Sequence, residues 1–164
     1  MLFTSYAMLR HVERRLADAL EYPLLVQGAA PRSALLREFR SLGNAVLLAT
    51  SSFWQGVDVV GEALSCVIVD KLPFASPADP VTAARIEAVN ARGGSAFSEY
   101  QLPLAILTLQ QGLGRLIRHR QDRGVLAVLD PRVRTKSYGA RFLEAMPPAP
   151  VTSRLEDISR FFER

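Results

Sequence analysis

The sequence predicts an α/β domain in which helices cover both faces of a doubly wound, mostly parallel sheet. Three segments, 46–49, 66–69 and 125–129, are apolar at every position rather than at alternate positions. Strands of this kind are buried on both faces, as in a parallel sheet between two layers of helices. They alternate with helical patterns over short links, which is the order of the doubly wound class. With 164 residues, 49% of them hydrophobic, the chain can build one packed core.

The first half of the chain is predicted to alternate three strands with two helices. Thr4 or Ser5 can cap the first helix through a side-chain oxygen, and Gly43 ends the second where helices favour glycine. The strands are predicted at 2–6, 23–28 and 45–52, and the helices run from the first strand to about residue 20 and over 33–42.

The second half continues the alternation with longer helices. Asp79 and Pro80 form a helix start, because the carboxylate accepts backbone N–H bonds and the proline lacks only a donor that the helix does not need. The remaining elements are a strand within 64–74, helices at 79–91, about 103–119 and 137–145, and a strand at 125–130.

The chain is predicted to form one domain over 1–146, followed by a terminal extension over 147–164. This extension begins with a Pro-rich link and continues as a short helix with an apolar stripe. Ser153 and Glu156 have the spacing of a capping box at the start of that helix. We expect the helix to pack on the same domain.

Composition excludes several classes of site and partner. The single cysteine, Cys66, forbids an internal disulfide and lies in an apolar run, where a thiol acts as a small hydrophobe. With only His11 and His119 besides, no metal cluster can be assembled from Cys and His. No apolar run reaches the ~20 residues that span a bilayer. We therefore expect a cytoplasmic protein with no membrane partner, and its net charge of +4 is compatible with a polyanion.

The segment QGLGRLIR, from Gln111 to Arg118, places polar groups on one side of a predicted helix. At about 100° per residue, Gln111, Arg115 and Arg118 share one face, opposite a stripe of leucines and isoleucines. Such a face suits a phosphate, although an ordinary solvated face is the alternative. Gly112 and Gly114 each cost about 1 kcal/mol relative to alanine inside a helix, which favours a close approach of another molecule.

Two further segments carry candidate ligand groups. SSFWQGVDVVG follows a buried strand. Its Gly56 could let a ligand come close to the backbone, and its Asp58 could accept a hydrogen bond from a ribose hydroxyl or an arginine. The alternative is a turn glycine with a turn aspartate, and Trp54 is more typical of a core than of a base-stacking platform. LFTSY, at 2–6, places hydroxyl groups at a helix start, where phosphates bind but ordinary caps are more frequent.

The sequence lacks the parts that hold the phosphates and metal of a nucleotide. It contains no GxxxxGK[ST] loop, and no acidic pair for magnesium follows a strand. If the chain handles a nucleotide, it supplies only part of the site.

The order of these motifs resembles the second RecA-like motor domain of superfamily 2 DNA helicases, most of all the DinG branch of the XPD-like helicases. LFTSY resembles motif IV, ATSSFWQGVDVVG resembles motif V with the strand VIVDKLPF after it, and QGLGRLIRHRQDRGVLAVLDPR resembles motif VI with its following strand. The resemblance runs from Leu2 to about Leu143 and implies that 1–146 is a RecA-like motor domain.

The resemblance implies a catalytic role for the polar helix face. Arg118 would be the arginine finger that reaches into the ATP site of the other motor domain. Arg115 would contact the same phosphates or hold Arg118 in place, and Gln111 would link the nucleotide to the cleft between the domains. Gly56 and Asp58 would lie across that cleft, near the ribose and the arginines.

The resemblance also implies the remaining ligands. Gly114 would belong to the nucleotide-binding surface with the motif V residues. ATP and Mg²⁺ would be held mainly by the first motor domain, which is absent here, and no iron–sulfur cluster would belong to this chain. Gln55 stands where many relatives have Glu. Single-stranded DNA would be contacted by Thr4, Ser5, Tyr6, Thr50 and Ser52.

The implied function is the second motor domain of an ATP-dependent DNA helicase, acting in DNA repair or replication. Its partners would be single-stranded DNA and the N-terminal motor domain of the same parent protein, and the chain alone would hydrolyse no ATP. The alternatives are a free-standing nucleic-acid or nucleotide-binding module without catalysis, and a structural or regulatory domain.

Overall fold

The computed structural model describes residues 1–50, 53, 64–117 and 122–163. Within these residues, five strands form one sheet in the order β2-β3-β1-β4-β5, and every pairing is parallel. The predicted α/β fold class, with a parallel sheet between helices, is therefore confirmed. The strands are β1 (Leu2–Phe3), β2 (Leu24–Val26), β3 (Val46–Thr50), β4 (Cys66–Val69) and β5 (Val125–Val128).

Helices cover the sheet, and three of the predicted boundary signals are confirmed. The Ser5 hydroxyl oxygen accepts from the Met8 N–H at 3.3 Å, and the Asp79 carboxylate accepts from the Thr82 N–H at 2.8 Å. Gly43 ends α2 with a φ of 69°, in the left-handed region that glycine adopts without strain. The helices are α1 (Tyr6–Leu16), α2 (Arg32–Leu42), α3 (Pro80–Ala91), α4 (Leu102–Leu116), α5 (Arg132–Thr135), α6 (Gly139–Glu144) and α7 (Leu155–Phe162).

The core lies on both faces of the sheet. Helix α4 buries its apolar stripe against β4, β5 and Phe142 of α6, and Leu102 and Leu109 are at most 2% exposed. Helix α1 covers β1, β2 and β3 through Leu9, which is fully buried. Because α4 commits one face to this core, the predicted separation of its apolar and polar faces holds within the described helix.

The predicted helix over about 103–119 differs from α4 at both ends. A π-helical turn, Phe97–Gln101, precedes α4 and starts the helical path earlier. At the other end Ile117 is extended, with φ −123° and ψ 111°, and packs against the core. The prediction that the helix continues to about residue 119 is therefore wrong, and Arg118, which was predicted to lie on its polar face, is outside the described residues. Two glycines in the last turns of α4 lower the stability of the helix there. The helix can therefore end at Leu116, and the extended Ile117 packs against the core.

The C-terminal region departs from prediction in two places. The predicted helix over 137–145 is the shorter α6, and α5 precedes it. Helix α7 has no Ser153–Glu156 capping box: its N-cap is Arg154, without a side-chain cap bond. The Thr152 hydroxyl instead donates to the Asp157 carboxylate at 2.5 Å and accepts from the Arg154 N–H. These two hydrogen bonds stand at the start of α7 in place of the predicted capping box.

Helix α7 contacts the domain through Arg123. The Arg123 guanidinium donates to the Phe161 carbonyl at 2.7 Å and lies 4.8 Å from the centre of the Phe161 ring. Much of the apolar stripe is nevertheless exposed, including 78% of Leu155. Of the helices in the described ranges, none combines the length and apolar character needed to cross a membrane.

Among the glycines whose surroundings the structure describes, Gly139, at the start of α6, has the closest backbone atoms around a Cβ built there. A Cβ there would lie 2.1 Å from the carbonyl oxygen of Val133 and 2.9 Å from that of Arg132. Both are backbone atoms that cannot move without shifting α5. We expect Gly139→Ala to lower the free energy of unfolding by about 2 kcal/mol or more in urea titrations. The exposed neighbour provides the control, Ala140→Ser, which should stay close to the wild type; equal stability of the two variants would contradict the prediction.

Candidate functional site

One edge of the sheet gathers polar side chains from all five strands. Because the strands are parallel, their carboxyl ends meet at a single edge, which is where α/β sheets bind ligands. We call this set the carboxyl edge: Thr4, Gln27, Thr50, Asp70 and Asp130, each lying at or just beyond the end of its strand.

Gln27 and Thr50 form a buried hydrogen-bond network at this edge. They are 8% and 6% exposed. The Gln27 Oε1 accepts from the Thr50 backbone N–H at 2.6 Å and from the Thr50 hydroxyl at 3.0 Å. The Gln27 Nε2 donates to the phenol oxygen of Tyr6, whose side chain is 54% exposed. The network therefore joins β2, β3 and the start of α1.

The last three residues of the LFTSY segment lie together at the protein surface. Thr4, Ser5 and Tyr6 are all exposed at the N-terminus of α1. The Thr4 backbone N–H donates to Asp70 Oδ1 at 3.1 Å, and the Ser5 hydroxyl caps α1. Thr50 differs, since its buried hydroxyl donates to Gln27 rather than facing outward. Ser52 lies outside the described residues.

Asp70 is the carboxylate of this edge that is least well satisfied. Its Oδ2 is buried and has no hydrogen-bond partner among the described residues. Burial raises the pKa of Asp70, and the hydrogen bonds from the Thr4 and Lys71 N–H groups oppose that shift only in part. Asp70 therefore connects β4 to the segment that follows β1 and leaves one acceptor oxygen unused.

Asp130 is committed to an internal ion pair. Its side chain is 3% exposed, and it accepts from the Leu72 N–H at 2.9 Å and from Arg132 Nη2 at 2.6 Å. Burial by itself would raise the pKa of Asp130, but the hydrogen bonds from Arg132 and Leu72 outweigh it and lower the pKa to about 2. The Arg132 guanidinium also lies 5.4 Å from the centre of the Phe74 ring. This arrangement makes Asp130 a structural link between β5 and the segment after β4.

The polar side of α4 is open where the structure describes it. Gln111 and Gly114 are exposed, whereas Gly112 is buried. A Cβ at Gly114 would meet no described atom within 4 Å. The backbone of Arg115 belongs to α4, and the structure does not describe its side chain.

Three of the predicted nucleotide-site residues, Gly56, Asp58 and Arg118, lie outside the described residues. Among the residues that are described, no three or more His, Cys, Asp or Glu side chains are grouped to hold a metal ion. The described part of the predicted nucleotide site is therefore limited to Gln111, Gly114 and the backbone of Arg115.

Gln27 is a buried polar residue of the carboxyl edge that neither motif order nor periodicity predicts as a site residue. Its signal was its position directly after the apolar strand LLV, comparable with that of Thr50 in β3. Because parallel strands share an edge, the polar residue that follows β2 lies with Thr4 and Thr50, which are predicted site residues.

Comparison with known proteins gives consistent matches over nearly the whole chain. The profile of the family described as Helicase C-terminal domain matches residues 1–149. The chain is 52% identical over 160 residues to the ATP-dependent DNA helicase YoaA of Escherichia coli K12, covering 98% of the chain and 25% of that protein. It is 40% identical over 157 residues to the 3'-5' exonuclease DinG of Bacillus subtilis 168, covering 93% of the chain and 17% of that protein.

Two further comparisons agree with these. The ATP-dependent helicase DinG of Mycobacterium tuberculosis H37Rv is 43% identical over 147 residues, covering 90% of the chain and 22% of that protein. A solved XPD helicase has a TM-score of 0.67 at 19% identity, covering 88% of the chain and 26% of that structure, and this likeness supports the fold alone. The chain spans about a quarter or less of the length of each of these proteins.

The Asp130–Arg132 pair makes a testable contribution to acid stability. A carboxyl group whose pKa falls from 3.8 to about 2 on folding stabilises the chain by about 2 kcal/mol above pH ~4. This stabilisation is lost as the pH falls from about 4 to about 2, since the carboxylate is then protonated in both states. We expect Asp130→Asn to lose at least about 2 kcal/mol at neutral pH and to converge on the wild type at the acid end of the range.

Urea unfolding at a series of pH values measures this effect. Glu144→Gln, on the exposed side of α6, serves as the control for removing one carboxylate. An Asp130→Asn variant that stays parallel to the wild type throughout the acid range would contradict the assignment.

Proposed function

The chain belongs to the Helicase C-terminal domain family, and we propose that it is the second motor domain of a DinG- or XPD-like ATP-dependent DNA helicase. The observation that carries this proposal is the combination of an open polar end on α4 with the absence of a phosphate loop from the sequence. The chain offers one side of a nucleotide site, and another domain has to supply the side that holds the phosphates and Mg²⁺.

The end of α4 is suited to face a cleft between two motor domains. The apolar stripe of the helix is fixed in the core, so Gln111 is presented from a rigid element. Gly114 lowers the stability of the helix, and no described atom outside the helix's own backbone lies within 4 Å of a Cβ built there. A close neighbour from outside the chain explains this glycine, and the surface of the first motor domain with its bound nucleotide is the neighbour we propose.

We assign the roles in the cleft by the motif order. Arg118 acts as the arginine finger, and Arg115 contacts the same phosphates or holds Arg118. Guanidinium groups at this place stabilise charge that develops on the transferred phosphoryl group, an effect worth about 10³ to 10⁵ in rate. Gly56 and Asp58 line the cleft with Gly114 near the ribose.

The DNA track lies at the carboxyl edge, on the side of α1. Thr4, Ser5 and Tyr6 are exposed there, next to the positive end of an 11-residue helix. Thr50 is linked to this surface through its hydrogen bond to the buried Gln27. Ser52 follows Thr50 by two residues in the sequence. Contacts to phosphate carry no sequence information, so binding is sequence-tolerant and weakens as salt increases.

The arginine-finger assignment is tested in a protein that joins this chain to the first motor domain of a related helicase. We expect DNA-stimulated ATP hydrolysis in the joined protein and none in the isolated chain. Arg118→Ala should cost at least about 3 kcal/mol of transition-state stabilisation, or more than about 100-fold in rate. Arg141→Ala, which removes an exposed arginine of α6, is the matched control and should have little effect.

A loss below threefold for Arg118→Ala would overturn the arginine-finger role. Turnover by the isolated chain that Arg118→Ala abolishes would overturn the division of the site between two domains. Nucleic-acid binding without any ATPase in the joined protein would instead favour a free-standing binding module.

Gly114→Ala separates stability from function at the same position. In the isolated chain the substitution should raise the free energy of unfolding by up to about 1 kcal/mol, because alanine favours the helix and its Cβ meets no described atom. In the joined protein the same Cβ should obstruct closure of the cleft and lower DNA-stimulated ATPase by about tenfold or more. Urea titration and a steady-state ATPase assay measure the two effects; a stabilised variant with full ATPase would remove Gly114 from the proposed cleft.

A further inference from the structure

The side-chain amide of Gln27 is held in one orientation by β3. A backbone N–H can only donate, and the Thr50 N–H lies 2.6 Å from one atom of the Gln27 amide. That atom must therefore be the oxygen, which also accepts from the Thr50 hydroxyl. The NH₂ group consequently faces Tyr6 and donates to its phenol oxygen.

This orientation determines what the Tyr6 hydroxyl can do. A phenol oxygen that accepts from Gln27 keeps its own proton for a second partner. Gln27 is its only hydrogen-bond partner among the described residues, and the Tyr6 side chain is 54% exposed. The proton is therefore available at the protein surface, where it can be donated to a bound acceptor.

The surroundings of Tyr6 favour an anionic acceptor. Tyr6 is the first residue of α1, at the positive end of the helix. Arg10 lies one turn further along the same face of α1. Its guanidinium reaches the turn after β2, since a Cβ at Gly28 would lie 3.3 Å from Arg10 Nη2. Arg10 is also paired with Glu13, at 2.8 Å, so its charge is shared.

We propose that Gln27 is a positioning residue for nucleic-acid binding: its buried amide orients the Tyr6 hydroxyl so that the hydroxyl donates to a phosphate oxygen of a single strand. The inference rests on the proposed function for the identity of the ligand, and it adds a residue that does not itself touch the strand. A purely structural role would account for the bonds that the buried Gln27 amide makes to Thr50 and to Tyr6. The feature that such a role does not use is the proton that the exposed Tyr6 hydroxyl keeps for a second partner.

A double-mutant cycle tests the proposal, with binding of a fluorescein-labelled oligothymidylate to the 164-residue chain measured by anisotropy at low salt. Tyr6→Phe removes the donated hydrogen bond to a charged group and should weaken binding about tenfold. Gln27→Glu should weaken it similarly, because a carboxylate only accepts and turns the Tyr6 proton inward. In the Gln27→Glu background, Tyr6→Phe should then cost less than about twofold.

Two further variants keep the result decisive. Tyr22→Phe removes the hydroxyl of a tyrosine that is equally exposed, at 55%, but precedes β2 at the opposite edge of the sheet, and it should bind as the wild type does. Tyr6→O-methyltyrosine keeps an oxygen that accepts from Gln27 but has no proton to donate, and it should bind as weakly as Tyr6→Phe. This variant tests the donor role even if Gln27→Glu does not fold.

The outcomes distinguish this inference from the function on which it rests. A wild-type chain that does not bind oligothymidylate would overturn the proposed DNA track, and the role of Gln27 with it. Binding that Tyr6→Phe weakens by the same factor in both Gln27 backgrounds would overturn the positioning role alone. Wild-type affinity in the O-methyltyrosine variant would show that the hydroxyl donates nothing to the strand.

Discussion

The parallel pairing of β1 between β3 and β4 is the constraint on which the rest of the structure depends. This strand has only two residues, and its Leu2 is in register with both Ala49 and Val69. Because both neighbours run parallel to it, the chain leaves β1 at the middle of the carboxyl edge. Thr4 is thereby placed beside Asp70, and α1 starts directly above the sheet. The pairing of β1 brings the exposed group at the N-terminus of α1 to the carboxyl edge. At another place in the fold, the same residues would form only an ordinary helix cap.

The carboxyl edge divides its polar groups between support and contact. Asp130 and Gln27 are buried and form hydrogen bonds with other parts of the chain, whereas Tyr6 and Thr4 are exposed. A buried polar group costs stability unless it is hydrogen-bonded, and the hydrogen bonds that satisfy Asp130 and Gln27 also fix the backbone around them. Helix α4 follows the same division, with an apolar face locked in the core and Gln111 at the surface. We interpret both surfaces as halves of larger sites: α1 meets a single strand, and α4 meets a nucleotide held by another domain.

The elements with local signals were predictable from the sequence. Continuous apolar runs indicated the parallel strands, and Gly43 and Asp79 marked helix ends through interactions within a few residues. Features that depend on distant partners were not predictable in this way. Gln27 has partners 21 and 23 residues away, so its pattern shows only a polar residue after a strand. The inward direction of the Thr50 hydroxyl and the extended backbone at Ile117 likewise follow from packing, which helical or strand periodicity does not contain.

The central claim is that the polar end of α4 is half of a nucleotide site completed by a first motor domain. If so, a nucleotide in that site must tighten the association of the two domains, because it contacts both. Calorimetry can measure the affinity of the 164-residue chain for the first motor domain of a related helicase, with and without Mg²⁺ and ADP–aluminium fluoride as a mimic of the transferred phosphoryl group. The account predicts an affinity at least about tenfold higher with the mimic, a coupling of about 1.4 kcal/mol or more. Equal affinity with and without the mimic would contradict it.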